Sequence, residues 1–311
     1  MSIPYTSQIY RLYIASFVSP EPGAAPSGGV EQCTFAQNND VGTCVAPEPG
    51  NAFLGATRVL VSGANAYVLS DVVDAATPVI RRCSVGADGA LSACAGTAAG
   101  IAPPKDIAVL GEFAYIVVDN SPDAQLLRCS ISGDGALLDC IQVGFDTKDV
   151  VLSTSIASLG SDLLLYGPGS PNLLRCSPLS GSRPAIGCKQ LPLPDGLQFT
   201  SMAVGQAEGK AYAYLATNIG AAGGQIYKCA LETALCVETK PPGGFPSPGN
   251  ALPLSISAMK MGGSSLYLLD GTAPGGVTQC RINAANGDIA SCGNVVPVGA
   301  SDAFFVGMEV R

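Results

Sequence analysis

The chain has 311 residues, 47% of them apolar and only 13% charged, with 38 Gly, 23 Pro, 12 Cys and neither His nor Trp. That balance is too apolar for intrinsic disorder, and a net charge of −8 speaks against a nucleic-acid groove or an anionic membrane surface as partner. Without histidine there is no usual neutral-pH general base and no Ser-His or Cys-His nucleophile pair.

No apolar run reaches the roughly 18 to 20 residues of a membrane span, so membrane insertion is not expected. The opening MSIPYTSQIY has neither the basic start nor the apolar core of an export signal; export would follow removal of a leader, or another route. IYRLYIASF (9–17) then reads as a strand that lacks its hairpin partner and leads straight to Cys33 and Cys44. Beyond it a unit recurs about every 50 residues. Each unit opens with an apolar strand, a Gly-containing turn and an aromatic-rich strand: TRVLVSGANAYVLSD (57–71), DIAVLGEFAYIVVD (106–119), TSIASLGSDLLLYG (154–167), SMAVGQAEGKAYAYLATN (201–218) and SAMKMGGSSLYLLD (257–270). Tyr13, Tyr67, Tyr115, Tyr214 and Tyr267 correspond, with leucines near 164 in the remaining unit. The C-terminal DAFFVGMEVR (302–311) is a first strand without its second.

Each unit closes on a cysteine pair. The pairs are Cys33 and Cys44, Cys83 and Cys94, Cys129 and Cys140, Cys176 and Cys188, Cys229 and Cys236, and Cys280 and Cys292. Zinc knuckles of the C-x2-4-C kind are absent, so an even count in this rhythm predicts disulfides and an oxidising compartment. Asp88-Gly89 and Asp134-Gly135 lie midway between their cysteines. Asp-Gly favours a two-residue turn with positive φ, which would set each cysteine opposite its partner on an antiparallel ladder.

Four short strands per unit predict an all-β fold: a six-bladed β-propeller formed by residues 1–311 as one domain, with one disulfide hairpin per blade. The N- and C-terminal strands would join in one blade and close the ring, leaving no open sheet edge. Two β-sandwiches also have short strands and frequent turns, but no linker divides this chain.

The AYVLSD, AYIVVD and AYLATN strands, each followed by an RC or KC strand and in two units by a DGAL turn, resemble the bacterial β-propeller repeats of the YVTN and lactonase-like kind. The resemblance covers nearly the whole chain and implies the propeller fold. Lactonase-like members include enzymes that use His, Glu and Arg.

Ligands of propellers sit at the axial opening. Counting back five residues from the Gly near the end of each first strand reaches Arg58, Asp106, Ser155, Thr200, Ser257 and Asp302, a polar set in apolar strands. Asp106 and Asp302 with three hydroxyls would suit Ca²⁺, which takes six to eight oxygens, whereas Arg58 would favour a small anion. Asp71 and Asp119, with Asn218, end second strands, where they would form an acidic rim or simply start turns. Arg82, Arg128, Arg175 and Lys228 precede cysteines and read as solvated outward positions. No G-x-S-x-G, Walker loop or distinctive carboxylate pair is present, and the lack of Trp weakens a lectin reading. The expectation is a non-enzymatic extracellular or periplasmic propeller with a binding or structural role. Its partner would be a protein or copies of itself, up to an oligomer or fibre. The alternative is a lactonase-like or metal-assisted hydrolase working at the axial mouth.

Overall fold

The computed structural model describes residues 9–18, 27–36, 41–45, 53, 55–70, 79–118, 125–145, 155–167, 170–179, 184–217, 224–245, 256–270, 276–293, 296–297 and 304–310. The chain begins with β1 (Ile9–Val18), β2 (Ser27–Ala36) and β3 (Val41–Val45). A first repeat follows as β4 (Ala56–Ser62), β5 (Asn65–Ser70), β6 (Ile80–Val85) and β7 (Leu91–Gly96). The second is β8 (Pro104–Leu110), β9 (Phe113–Val118), β10 (Gln125–Ile131) and β11 (Leu137–Gln142). After β12 (Gly144–Phe145) the third comprises β13 (Ser155–Leu159), β14 (Asp162–Tyr166), β15 (Asn172–Pro178) and β16 (Ala185–Pro192). The fourth is β17 (Phe199–Ala207), β18 (Lys210–Thr217), β19 (Gln225–Ala230) and β20 (Leu235–Thr239). The fifth is β21 (Ile256–Gly262), β22 (Ser265–Asp270), β23 (Gly276–Ile282) and β24 (Ile289–Cys292). Short β25 (Val296–Pro297) and β26 (Phe304–Val310) end the chain.

Within each repeat the four strands pair antiparallel in chain order, giving an all-β propeller. β12 adds to the outer edge of β16, and β25 pairs with β23. The terminal sheet runs β26-β1-β2-β3, so the last strand of the chain lies beside the first. Burial follows position in the sheet. Second strands are covered on both faces by neighbouring sheets, and in β5 and β9 every residue after the first is buried. Outer strands β7 and β11 are mostly exposed.

Five hairpin disulfides are described, joining Cys83–Cys94, Cys129–Cys140, Cys176–Cys188, Cys229–Cys236 and Cys280–Cys292 with Cα atoms 4.0 Å apart. The described structure thus holds five complete stapled repeats where the sequence led us to expect six. In the terminal sheet the ladder sets Cys33 opposite Cys44 and Cys33 is disulfide-bonded, but the Cys44 side chain lies outside the described residues.

The turns correct a second expectation. Gly86 N bonds Ala90 O and Gly89 N bonds Gly86 O, so the loop has three residues instead of two, with Gly89 at φ 82°. That loop alone would put the two cysteines out of register by one residue. A bulge at Ala93, whose φ is 48°, restores it, and Asp139 at φ 49° does the same before Cys140.

The basic residues before the cysteines are not free solvent groups. Arg82 Nε donates to Asn65 Oδ1 at 2.8 Å, Arg128 stacks 4.4 Å over the Phe113 ring, and Arg175 Nε donates to Asp162 Oδ2 at 2.7 Å. Lys228 contacts Asp288 and lies 5.5 Å over Tyr212. Each ties the third strand to the second or to the next repeat, because its long stem lies along a neighbouring strand.

The buried tyrosines lock sheets together. Tyr13, Tyr67 and Tyr214 donate their hydroxyls to the carbonyls of Gly89, Gly135 and Gly287, at 2.7, 2.8 and 2.7 Å. Each acceptor is the glycine of the next sheet's cysteine turn. Gly135 sits at φ 89°, and a Cβ there would collide with the Asn65 side chain. At the third repeat Leu164 replaces the tyrosine, and it packs with Leu231 and Cys229 of the short fourth hairpin. Tyr67→Phe strands a buried carbonyl and should destabilise the protein by about 1–3 kcal/mol in chemical denaturation. Loss below about 0.5 kcal/mol would remove the lock from the account.

Candidate functional site

Six inner strands touch one another in the cyclic order β4, β8, β13, β17, β21, β26 and back to β4. They enclose an axial cavity of about 320 Å³. Two rings of positions line it. Arg58, Asp106, Ser155, Ser201 and Ala258 form the first, opposite Leu69, Val117, Tyr166, Ala216 and Leu269 of the second strands. Two residues further along lie Leu60, Ala108, Ala157, Ala203, Lys260 and Glu309, opposite the tyrosines and Leu164.

Of the polar ring expected from sequence, Arg58, Asp106 and Ser155 do line this cavity. Thr200 and Ser257 do not. Both are the extra residues of β-bulges, as is Thr57, and their hydroxyls turn away to strand carbonyls. Thr200 Oγ1 donates to Ile256 O at 3.1 Å and Ser257 Oγ to Leu269 O at 3.2 Å. The count failed because Gly205 and Gly262 are strand residues: five residues before the turn glycine Gly263 lies Ala258, and the fourth hairpin runs two residues longer, from Ser201 to its turn at Glu208 and Gly209. Asp302, Asp71, Asp119 and Asn218 lie outside the described residues.

Asp106 joins the second repeat to the third. Its Oδ1 accepts from Ile107 N at 2.9 Å and its Oδ2 from Ile156 N at 3.0 Å. Arg58 Nε lies 4.0 Å from Asp106 Oδ1, and Arg58 Nη1 donates to Thr57 O at 2.9 Å. One ring further, Lys260 Nζ is 2.6 Å from Glu309 Oε2. Sequence reasoning missed this second pair, although a single charge in each of two apolar first strands (SAMKMGG and FFVGMEV) was the available signal.

Burial pushes the Asp106 carboxyl above the ordinary carboxylate range, against the pull of Arg58 and the two backbone amides. Glu309 is raised by burial as well, with Lys260 opposing. For Lys260 burial acts downward, but Glu309 and then Asp106 outweigh it and hold the amine above its usual value. An acid whose folded pKa is raised contributes stability below its unfolded pKa and loses it as pH climbs through the folded value. The melting temperature of the native protein relative to an Asp106→Asn variant should therefore fall as pH rises above the usual carboxylate value of about 4. A difference that stays flat or rises would contradict a desolvated Asp106.

Among the described residues no three His, Cys, Asp or Glu side chains converge as metal ligands. The calcium expectation paired Asp106 with Asp302, and Asp106 already accepts an amide on each oxygen.

No protein-family model matches the sequence, and no curated protein matches it. Solved structures do. A candidate 6-phosphogluconolactonase from Bacteroides fragilis aligns with a TM-score of 0.63 at 11% identity, over 100% of both chains. A chain of the nidogen/laminin complex gives 0.62 at 10% identity, over 97% of this chain and 98% of that one. The periplasmic gluconolactonase of Pseudomonas aeruginosa gives 0.58 at 10% identity, over 96% and 99%. Identities this low speak for the fold. The chain shares the β-propeller fold of these structures, the fold that the resemblance of its repeats implied.

Proposed function

We propose that the chain is a secreted, non-enzymatic binding propeller, with residues 1–311 forming one ring closed by its own two ends. One observation carries this reading: both described carboxylates of the axial cavity face a cation of the chain itself, Asp106 with Arg58 and Glu309 with Lys260. Neither is a lone base; the chain has no histidine, and no described cysteine is a free thiol. The hairpin disulfides support an oxidising compartment, extracellular or periplasmic. The partner is a protein or a further copy of the chain, consistent with Leu138, Ile141, Leu235 and Val237 exposed on outer strands β11 and β20.

The lactonase-like reading is the alternative, favoured by the shared fold and by the presence of an Arg and an Asp at the cavity wall. Glucono-δ-lactone hydrolysis separates the two. The purified protein should leave the spontaneous rate unchanged at micromolar concentration. Saturable turnover that Asp106→Asn abolishes would replace the binding reading with an enzymatic one.

A further inference from the structure

The outer strands of the repeats are not alike. Four of the five large apolar side chains exposed among the described residues sit on two of these strands, Leu138 and Ile141 on β11, Leu235 and Val237 on β20. Ile141 stands opposite Arg128 and Leu138 opposite Ser130, while Val237 stands opposite Lys228 and Leu235 opposite Ala230. Partners two residues apart on one strand point to the same face, so each pair makes one apolar stripe. The same two places hold Ala95 and Ser92 in the first repeat and Lys189 and Gly187 in the third. In the fifth, Ser291 holds the second of them, opposite Arg281. The fold therefore does not need large apolar residues at these places.

Both stripes border open backbone. Among the described residues, β11 and β20 end their sheets with no strand beyond them. The Cα atoms of Cys229 and Cys236 are 4.0 Å apart, the close spacing of a pair without mutual hydrogen bonds, so the Cys236 amide and carbonyl point to the open edge. The chain itself covers such an edge at the third repeat, where Gly144 and Phe145 of β12 pair with Ala185 and Ile186 of β16. We propose that β11 of one copy of the chain pairs antiparallel with β20 of the next, joining copies head to tail. The inference rests on the binding reading above and names the partner as a second copy.

Charge sets the direction. Antiparallel pairing lays Leu138 on Val237 and Ile141 on Leu235, and it carries the exposed Asp134 of the preceding turn to Lys240, which is 67% exposed. Parallel pairing would set Asp134 beside Glu232. Pairing β11 with another β11 would bring two Asp139 carboxylates to neighbouring positions and leave the β20 stripe in water. Two unlike edges on one chain make a heterologous contact, which continues into open chains or closes into a ring. Its strength is limited. One such strand pair falls below the about 1,200 Å² of a stable interface, and copies that each carry −8 repel one another. Salt screens that repulsion, so association should strengthen with ionic strength, whereas a basic partner would be released.

Sedimentation velocity of the disulfide-intact protein from about 10 μM to about 1 mM tests this, the range where weak contacts half-saturate. The average sedimentation coefficient should rise with concentration, and rise further between about 50 mM and about 500 mM NaCl. Two variants each give one edge the residues of the first repeat: Leu138→Ser with Ile141→Ala, and Leu235→Ser with Val237→Ala. Each should stay monomeric and melt with the native protein, since the first repeat folds with Ser and Ala at these places. Mixed in equal amounts they should form a dimer and nothing larger, because one sound edge of each kind remains. A native protein that is monomeric throughout, variants that associate like the native protein, or a mixture that stays monomeric would overturn the proposal. Loss of association in only one variant would overturn it too, since that marks contact between like edges. Glucono-δ-lactone hydrolysis by the same sample would instead overturn the binding reading itself. Without hydrolysis, a monomeric native protein removes only the second copy as partner.

Discussion

Deleting residues 302–311 should destabilise the protein by about 5 kcal/mol or more, because the ladder from Leu12↔Val310 to Phe17↔Phe304 is lost at roughly 1 kcal/mol per hydrogen bond. The same cut leaves β1 as an uncovered inner edge and Lys260 without its carboxylate. An exposed strand edge recruits other strands, so the truncated protein should also elute as dimers or larger species. Size-exclusion chromatography and thermal melting read both effects. A truncated monomer with unchanged melting would show that the chain ends do not close the ring.

The second large effect belongs to the charge pair beside that closure. Lys260→Met leaves Glu309, only 7% exposed, without its cation, and should cost about 3 kcal/mol. Combining Lys260→Met with Glu309→Gln should recover most of that loss, since removing both charges of a buried pair is often close to neutral. The sign at high pH follows from Lys260. Its raised value keeps the contribution in place through neutral pH and loses it only as pH rises above the usual 10.5, where the native protein should approach the Lys260→Met variant. Equal melting of the native and Lys260→Met proteins at pH 7 would make the pair incidental.

Much of this architecture was legible because repetition amplifies weak signals. AYVLSD and AYIVVD stand out as second strands because β5 and β9 are buried on both faces, which a run of apolar residues reports directly. The cysteine spacing was equally readable, since a hairpin staple needs opposed residues. What stayed hidden was one-residue detail. The bulges at Ala93 and Asp139 are set by positive φ, which alanine disfavours and which nothing in the two hairpin sequences announces. A bulge likewise moved Thr200 and Ser257 off the cavity wall and put Ser201 and Ala258 at that level. Lys260 and Glu309 stand on inner strands of neighbouring sheets, so only the packing of one sheet on the next brings them together. The tyrosines were recognised as a repeated position, but their bonds to the next sheet's turn glycines depend on blade-to-blade geometry that strand patterning does not carry.

Closure of the ring by the two chain ends makes its most direct commitment at Cys33, in the sheet that β26 and β1 share. Non-reducing peptide mapping by mass spectrometry tests it. A Cys33–Cys44 linkage is expected beside the five hairpin disulfides, with no linkage between repeats. Cys33 joined to a cysteine of any other repeat would contradict the closed ring.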